Sequence, residues 1–355
     1  MKAPRSYIKD LRRRSHHYEA GAQALLNNDD AKARIEFDRG LESDALAPTL
    51  APKLLSETPR KFLHKYVLAQ FVEDGWRDWR QRVTAESRSP AIEPPKIYTY
   101  WGQGFHEAPP VVKACESALR RFHTDHELAL LDEKAIPYYV DIPSDVRLSI
   151  GPTRYAAFTD LLRVTLLARY GGVWLDANCL ATRNIISIHE DLTQGSDFFA
   201  FPLGGDGRIS SWCLASKPGS YLACMMREAQ QAYWRAFSGP VIYLFFHFIF
   251  RCLVLLDPDF GTLWARCPRP EGNPRALSRR VFLRSFAADE VEERVRRSFV
   301  LKLSHKVDAA KLAPDSAIAS LVRRSATIPA PYPDFKKPET SVAGPAIRRP
   351  SVDGR

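Results

Sequence analysis

The chain lacks several features that would each name a class of protein. Its six cysteines, Cys115, Cys179, Cys213, Cys224, Cys252 and Cys267, form no CxxC pair and no spacing suited to zinc. Thiols scattered in this way argue for reduced, buried side chains in a cytosolic compartment and against a disulfide framework. There is no apolar run long enough to span a bilayer. The longest, residues 241–256, is interrupted by His247 and Arg251 and falls short of the roughly 20 residues a spanning helix needs, so it reads as a buried helix. The opening MKAPRSYIKDLRRRSHH is basic with no apolar segment behind it and does not read as a secretory signal. Internal repeats and nucleic-acid motifs are also missing.

What is present is ordinary in bulk. A length of 355 residues, 45% of them apolar and 26% charged, allows one large α/β domain with an accessory piece. A net charge of +10 admits nucleic acid, an anionic membrane face or anionic small substrates as partners. The basic residues gather near the termini, in Arg12, Arg13 and Arg14 and in Lys336, Lys337, Arg348 and Arg349. They read first as solvated surface and second as adhesion to the anionic inner leaflet of the cell membrane. Nucleic acid is not expected as a partner.

Three regions follow from the pattern. Residues 1–90 read as a helical extension, with Phe62, Tyr66, Ala69, Val72, Trp76 and Trp79 at helical spacing. Residues 91–327 alternate strand and helix in the manner of a mostly parallel sheet. Strands are expected at 96–101, 127–131, 173–175, 198–201, 212–215 and 300–303. Helices are expected at 109–122, 132–139, 153–170, 220–237 and 240–256. Residues 328–355, rich in proline, charge and small side chains, read as a disordered tail.

The most informative stretch is FTDLLRVTLLARYGGVWLDAN, residues 158–178. It reads as helix, Gly-Gly turn, short apolar strand, and a carboxylate where the strand ends. That order puts Asp176 at the carboxyl edge of a sheet, where open α/β folds bind ligands. Asp176 with Asn178 offers hard oxygen donors suited to Mg²⁺ or Mn²⁺ and, through the metal, to a diphosphate. The bland alternative is a turn-forming Asp-x-Asn. Asp160 and Arg163, three apart, emerge on one helix face. They read either as a surface ion pair or as a phosphate ligand with the carboxylate that orients it.

The segments Tyr-Trp-Gly-Gln-Gly at 100–104, Thr-Asp-Leu-Leu-Arg at 159–163 and Tyr-Gly-Gly-Val-Trp-Leu-Asp-Ala-Asn at 170–178 resemble the capsular polysaccharide synthesis glycosyltransferases. These sit in a wider group of DxD sugar transferases that includes yeast-type mannosyltransferases and the glucosylating clostridial toxins. The resemblance covers about residues 94–305. It implies a GT-A fold, with a nucleotide-sugar-binding Rossmann-type sheet flanked by helices, and dependence on Mn²⁺ or Mg²⁺. It further implies that Tyr100 and Trp101 border the base, that Asp160 and Arg163 hold ribose and sugar or phosphate, that Trp174 stacks near the nucleotide, and that Asp176 ligates the metal and is central to catalysis. Asn178 departs from the pattern, since many relatives carry a second Asp there. Val-Leu-Lys-Leu-Ser-His-Lys at 300–306 resembles the family's closing strand, which makes His305 a candidate metal or phosphate ligand and Lys302 or Lys306 a diphosphate clamp. Asp206 and Trp212, in and after a glycine-rich loop, are acceptor-side candidates. His247 reads as a core histidine, with an acceptor role as its alternative.

The function expected is metal-assisted transfer of a hexose from a nucleoside diphosphate sugar to a capsular polysaccharide or glycolipid acceptor, in the cytoplasm or peripherally on the inner membrane face. Asn178 keeps open an inactive carbohydrate- or nucleotide-binding relative that scaffolds a polysaccharide assembly complex.

Overall fold

The computed structural model describes residues 16–44, 58–85, 94–152, 154–203, 208–237, 239, 242–269, 297–304 and 316. The described residues begin with α1 (His16–Leu26) and α2 (Asp30–Ser43), joined by a tight turn that Asp29 closes by accepting a hydrogen bond from the Lys32 amide. Two glycines let the pair approach. A Cβ at Gly21 would lie 2.5 Å from the Phe37 ring, and one at Gly40 would lie 2.6 Å from the Tyr18 ring. The 27-residue α3 (Pro59–Ala85) follows, with its apolar positions 62, 66, 69, 72, 76 and 79 all buried, as the spacing predicts.

The α/β part begins with β1 (Ile97–Tyr100) and α4 (Pro110–Phe122), the latter opened by Pro110 in its first turn. Then come β2 (Leu128–Leu131), α5 (Ile136–Tyr139), α6 (Ser144–Ile150) and α7 (Tyr155–Tyr170). After α7 the chain runs through β3 (Gly172–Leu175), β4 (Cys179–Ala181), α8 (His189–Thr193), β5 (Phe198–Leu203) and β6 (Arg208–Ser216). It continues with α9 (Tyr221–Ala236), α10 (Phe245–Leu256), α11 (Pro258–Arg266) and β7 (Val300–Lys302).

Five strands make the central sheet in the order β2-β1-β3-β6-β5. Strands β2, β1 and β3 are parallel neighbours, β6 runs against β3, and β5 runs against β6. Four strands therefore share one direction and β6 opposes them. Pro202 is tolerated in β5 because that strand is an edge, and the register shifts between Ala200 and Pro202. The turn from α7 into β3 needs both of its glycines. Gly171 has φ +67° and Gly172 φ +83°, and a Cβ on Gly172 would lie 2.3 Å from the Lys96 carbonyl oxygen. The Gly-Gly pair is thus what lets the strand lie against the start of β1.

Several expected boundaries shift for local reasons. Residues 125–127 form a 3₁₀ turn and not the start of β2, because Thr124 and Glu127 close a reciprocal capping box. Residues 132–135 form a turn held by Asp132 Oδ1, which accepts from the Lys134 and Ala135 amides, so only residues 136–139 are helical. Helix α10 starts at Phe245, with residues 242–244 in turns before it. The last strand exists, but it pairs with β4 in a separate two-stranded ribbon and not with the main sheet. Strand β4 and helices α6, α8 and α11 were not expected from the sequence pattern.

Core and cap are continuous. One hydrophobic cluster runs from Tyr18, Phe37, Phe62 and Tyr66 through Trp174, Phe198 and Trp212 to Tyr233, Phe246 and Phe250. Arg82 of α3 pairs with Glu228 of α9 at 2.9 Å, and Arg80 pairs with Asp259 of α11 at 2.5 Å. The helices on either side of residue 90 share one interior. The boundary segment 86–93 and residues 328–355 lie outside the described residues. All six cysteines are buried and free. No helix among the described residues is long and apolar enough to cross a membrane.

Candidate functional site

Because β1 and β3 are adjacent and parallel, their carboxyl ends lie on one edge of the sheet. Trp101 follows β1 there and Asp176 follows β3. Ala177, next to Asp176, packs with Ala108 and Val112, and Trp101 and Phe105 lie against that small cluster. The Asp176 amide donates to the Trp212 carbonyl, and the Cys179 amide donates back to the Asp176 carbonyl, so the turn is held on both sides.

Asp176 is the hub of the site. Its Oδ1 accepts from Trp174 Nε1 at 3.0 Å and lies 3.5 Å from Arg163 Nη2. Its Oδ2 accepts from Lys302 Nζ at 2.6 Å. Burial alone would raise this carboxyl, but the Lys302 and Arg163 cations, with the two hydrogen bonds, outweigh it and hold it well below the usual carboxylate range. Asp176 is therefore a fixed anion and not a proton shuttle.

Arg163 is buried, and its donors are spent inside the protein. Nε donates to the Thr159 carbonyl at 2.9 Å, Nη1 to the Ser211 carbonyl at 2.7 Å, and Nη2 to Thr159 Oγ1 at 3.2 Å. Asp160 Oδ1 lies 3.2 Å from Nη1. The guanidinium also stands 5.3 Å from the Trp174 ring centroid. The pair is therefore a buried contact and not a surface ion pair, and it sets Arg163 against Asp176. Burial pushes the Asp160 carboxyl up to about 6, against the pull of Arg163 and with the help of the Asp176 charge.

Asn178 carries the local surprise. Its Nδ2 donates to the Leu303 carbonyl at 2.6 Å, its carbonyl accepts from the Leu303 amide at 2.9 Å, and its Oδ1 accepts from Lys302 Nζ at 2.6 Å. The register of the small ribbon sets Cys179 opposite Lys302, so the closing strand delivers the lysine to the Asp-x-Asn turn. An aspartate at 178 would turn an oxygen toward the Leu303 carbonyl where a donor is required. The departure from Asp-x-Asp thus has a structural reason.

The other expected residues fall into two groups. Trp101 is partly exposed at the site edge. Tyr100 is mostly buried, and its hydroxyl donates to Glu133 Oε2 at 2.7 Å, with burial first and Glu133 next raising its ionisation well above the ordinary range. Trp174 is only 1% exposed, which leaves no ring face open for stacking on a nucleotide. Its indole N–H instead steadies Asp176. Trp212 is likewise buried, stacked on Phe201 at 5.1 Å, and serves the site through its carbonyl. His247 is buried in α10 with Nδ1 donating to the Ile209 carbonyl at 2.5 Å, the arrangement of a satisfied core histidine. Asp206, His305 and Lys306 lie outside the described residues. Sequence reasoning missed Thr159 and the Ser211 carbonyl, which hold Arg163. No sequence signal marks a backbone acceptor 48 residues away.

A divalent cation would have to share Asp176 and Asn178 with the Lys302 ammonium. Asp176 Oδ2 and Asn178 Oδ1 already sit 2.6 Å from Nζ, Asp176 Oδ1 is engaged by the Trp174 indole and faces Arg163, and among the described residues no three His, Cys, Asp or Glu side chains converge. His305, the third expected ligand, lies outside the described residues; among the described ones, two carboxylate oxygens and one amide oxygen, all engaged by protein donors, do not fit Mg²⁺ or Mn²⁺.

A family model described as capsular polysaccharide synthesis protein matches residues 51–321. The chain belongs to that family. The match takes in α3 and runs past β7, so the long helix is part of the family's fold, whereas α1 and α2 precede the matched range. Membership ties the chain to capsular polysaccharide synthesis. No curated protein and no solved structure matches it.

Proposed function

We propose that this member of the capsular polysaccharide synthesis family is a glycosyltransferase. It moves a hexose from a nucleoside diphosphate sugar, bound in the GT-A manner, to a growing capsular polysaccharide or a glycolipid acceptor. The observation that carries this reading is the ionised cluster of Asp176, Arg163, Asp160 and Lys302 at the shared carboxyl edge of β1 and β3. Two adjacent parallel strands ending at one edge are where open α/β sheets take nucleotides, and a lysine held at that edge is suited to a diphosphate. Work at the inner face of the cell membrane, through the basic terminal segments, belongs to the same proposal.

The reaction asks for charge stabilisation. As the bond between the anomeric carbon and the diphosphate oxygen breaks, its electron pair stays with the diphosphate. The acceptor hydroxyl forms the new bond to that carbon and releases its proton. Asp176, anchored by Trp174 and Arg163, keeps Lys302 at the edge where the negative charge develops.

The test is hydrolysis and transfer by purified protein over a panel of nucleotide sugars. Asp176→Ala should abolish turnover of the donor that the wild type uses, because Lys302 loses its anchor. Unchanged activity would remove Asp176 from the mechanism. One observation favours a second reading, an inactive binding relative that scaffolds polysaccharide assembly. Arg163 makes three internal hydrogen bonds and faces Asp160 and Asp176 with the rest of its guanidinium, which leaves Lys302 as the described cation nearest to hand. Nucleotide binding without turnover across the panel would select that reading.

A further inference from the structure

We infer that Lys302 is the resident cation of the site: its ammonium takes the seat that a divalent ion would occupy between Asp176 and Asn178, so the site binds a nucleoside diphosphate and releases it without a metal. This rests on the transferase reading above and specifies how its leaving group is stabilised.

Four observations converge on it. Nζ sits 2.6 Å from Asp176 Oδ2 and 2.6 Å from Asn178 Oδ1, while the remaining carboxylate oxygen, Asp176 Oδ1, is held by the Trp174 indole. An ammonium has three N–H donors, and two are used, so one remains without a partner among the described residues. The side chain is 21% exposed, enough for a ligand oxygen to reach it. Charge closes locally as well. The carboxylates of Asp160 and Asp176 face the cations of Arg163 and Lys302, within 3.5 Å at each contact, and an added dication would meet an already neutralised anion.

Asn178 makes the arrangement specific to a lysine. Its amide N–H binds the Leu303 carbonyl, one residue beyond Lys302, and its oxygen binds Nζ. Asparagine supplies the donor and the acceptor at once. Aspartate would supply two acceptors and favour a metal over the strand. The chemistry needs nothing further. The diphosphate leaves with the electron pair of the broken bond, the remaining Lys302 N–H donates to the oxygen that gains the charge, and the acceptor proton passes to solvent.

The full chain settles the matter in two solutions, one with EDTA and one with Mn²⁺. Thermal shifts with UDP, GDP, CDP, ADP and dTDP, and hydrolysis of the matching sugar donors, are measured in both. The expected result is the same nucleotide affinity and turnover in EDTA as in Mn²⁺, with no Mn²⁺ site found by direct calorimetric titration of the free protein. Lys302→Met should weaken the active nucleotide roughly 10- to 100-fold, and Lys302→Arg should recover part of that. Asn178→Asp should weaken it too, where a metal site would gain. Nucleotide binding or turnover that appears only with Mn²⁺ overturns the inference and leaves the transferase reading standing. Neither binding nor turnover in either solution overturns both. The wild-type comparison needs no variant to fold.

Discussion

At the scale of single residues, the site is a set of charges whose protonation states are decided by their neighbours. Asp176 and Asp160 lie on the same arginine yet are driven in opposite directions. Asp176 has two cations and an indole N–H, so it stays ionised. Asp160 shares only Arg163 and is close to another anion, so its carboxyl rises to about 6. The sign of the consequence follows from linkage. A raised folded-state value means that the folded chain holds a proton that the unfolded chain, near the ordinary value of 3.8, has lost. The stability this confers is complete below that ordinary value and is lost as pH rises through about 6. Melting temperatures taken from about pH 4 to about pH 7.5 should therefore show a decline for the wild type across that window, and Asp160→Asn should flatten it. A variant whose profile matches the wild type would show that Asp160 titrates normally.

At the scale of elements, two short connections decide where the site lies. The Gly171-Gly172 turn carries the chain from α7 into β3 in a backbone conformation that side chains rarely adopt. Gly172→Ala meets both the strained φ and the Lys96 carbonyl at 2.3 Å, so it should cost more than about 3 kcal/mol or prevent folding. Gly151, with φ +75° and nothing within 4 Å of where a Cβ would stand, isolates the conformational part. Gly151→Ala should cost only about 1 to 2 kcal/mol. Equal losses in denaturant melts of the two variants would mean that the close approach to Lys96 is not what the glycine is for. The second connection is the β4–β7 ribbon. Each of its strands has three residues, too few for a periodic signal, and the pairing joins segments more than a hundred residues apart. Motif likeness pointed to a closing strand near the site, but the register that aligns Lys302 with the Asp-x-Asn turn is a tertiary fact.

At the scale of the whole molecule, the N-terminal helices are part of the interior. Tyr18 lies 4.1 Å from the Tyr66 ring and Phe37 lies 4.9 Å from the Phe62 ring, so α1 and α2 cover a face of α3 that is itself packed on α9 and α10. Deleting residues 1–57 would bare that face. The shortened chain should melt several degrees lower and aggregate, measured by thermal melt and by scattering. A melting temperature within about 2 °C of the full chain would show the pair to be a dispensable attachment. Within the expected extension up to residue 90, the described residues 16–26, 30–43 and 59–85 are helical. Its union with the sheet was not legible, because apolar spacing names a buried face and not the element that buries it.

Much of the architecture was readable for that same local reason. Helical periods and short apolar runs marked α3, α4, α7 and α9 and the five central strands within a few residues, and the Gly-Gly turn and strand-end carboxylate placed Asp176 at the carboxyl edge of the sheet. Trp174 and Trp212 show the limit. Exposure depends on what packs on top, and both rings turned out to be covered. The amino-acid order alone determined the α/β class, the position of Asp176 at a sheet edge and the family likeness, since each depends on residues near one another along the chain. Only the tertiary structure decided that Lys302 occupies the Asp-x-Asn turn, that Arg163 is spent internally and that Asn178 is needed as a donor. Those outcomes depend on which distant groups meet, and electrostatics between them is set by distance and burial, which no local pattern records.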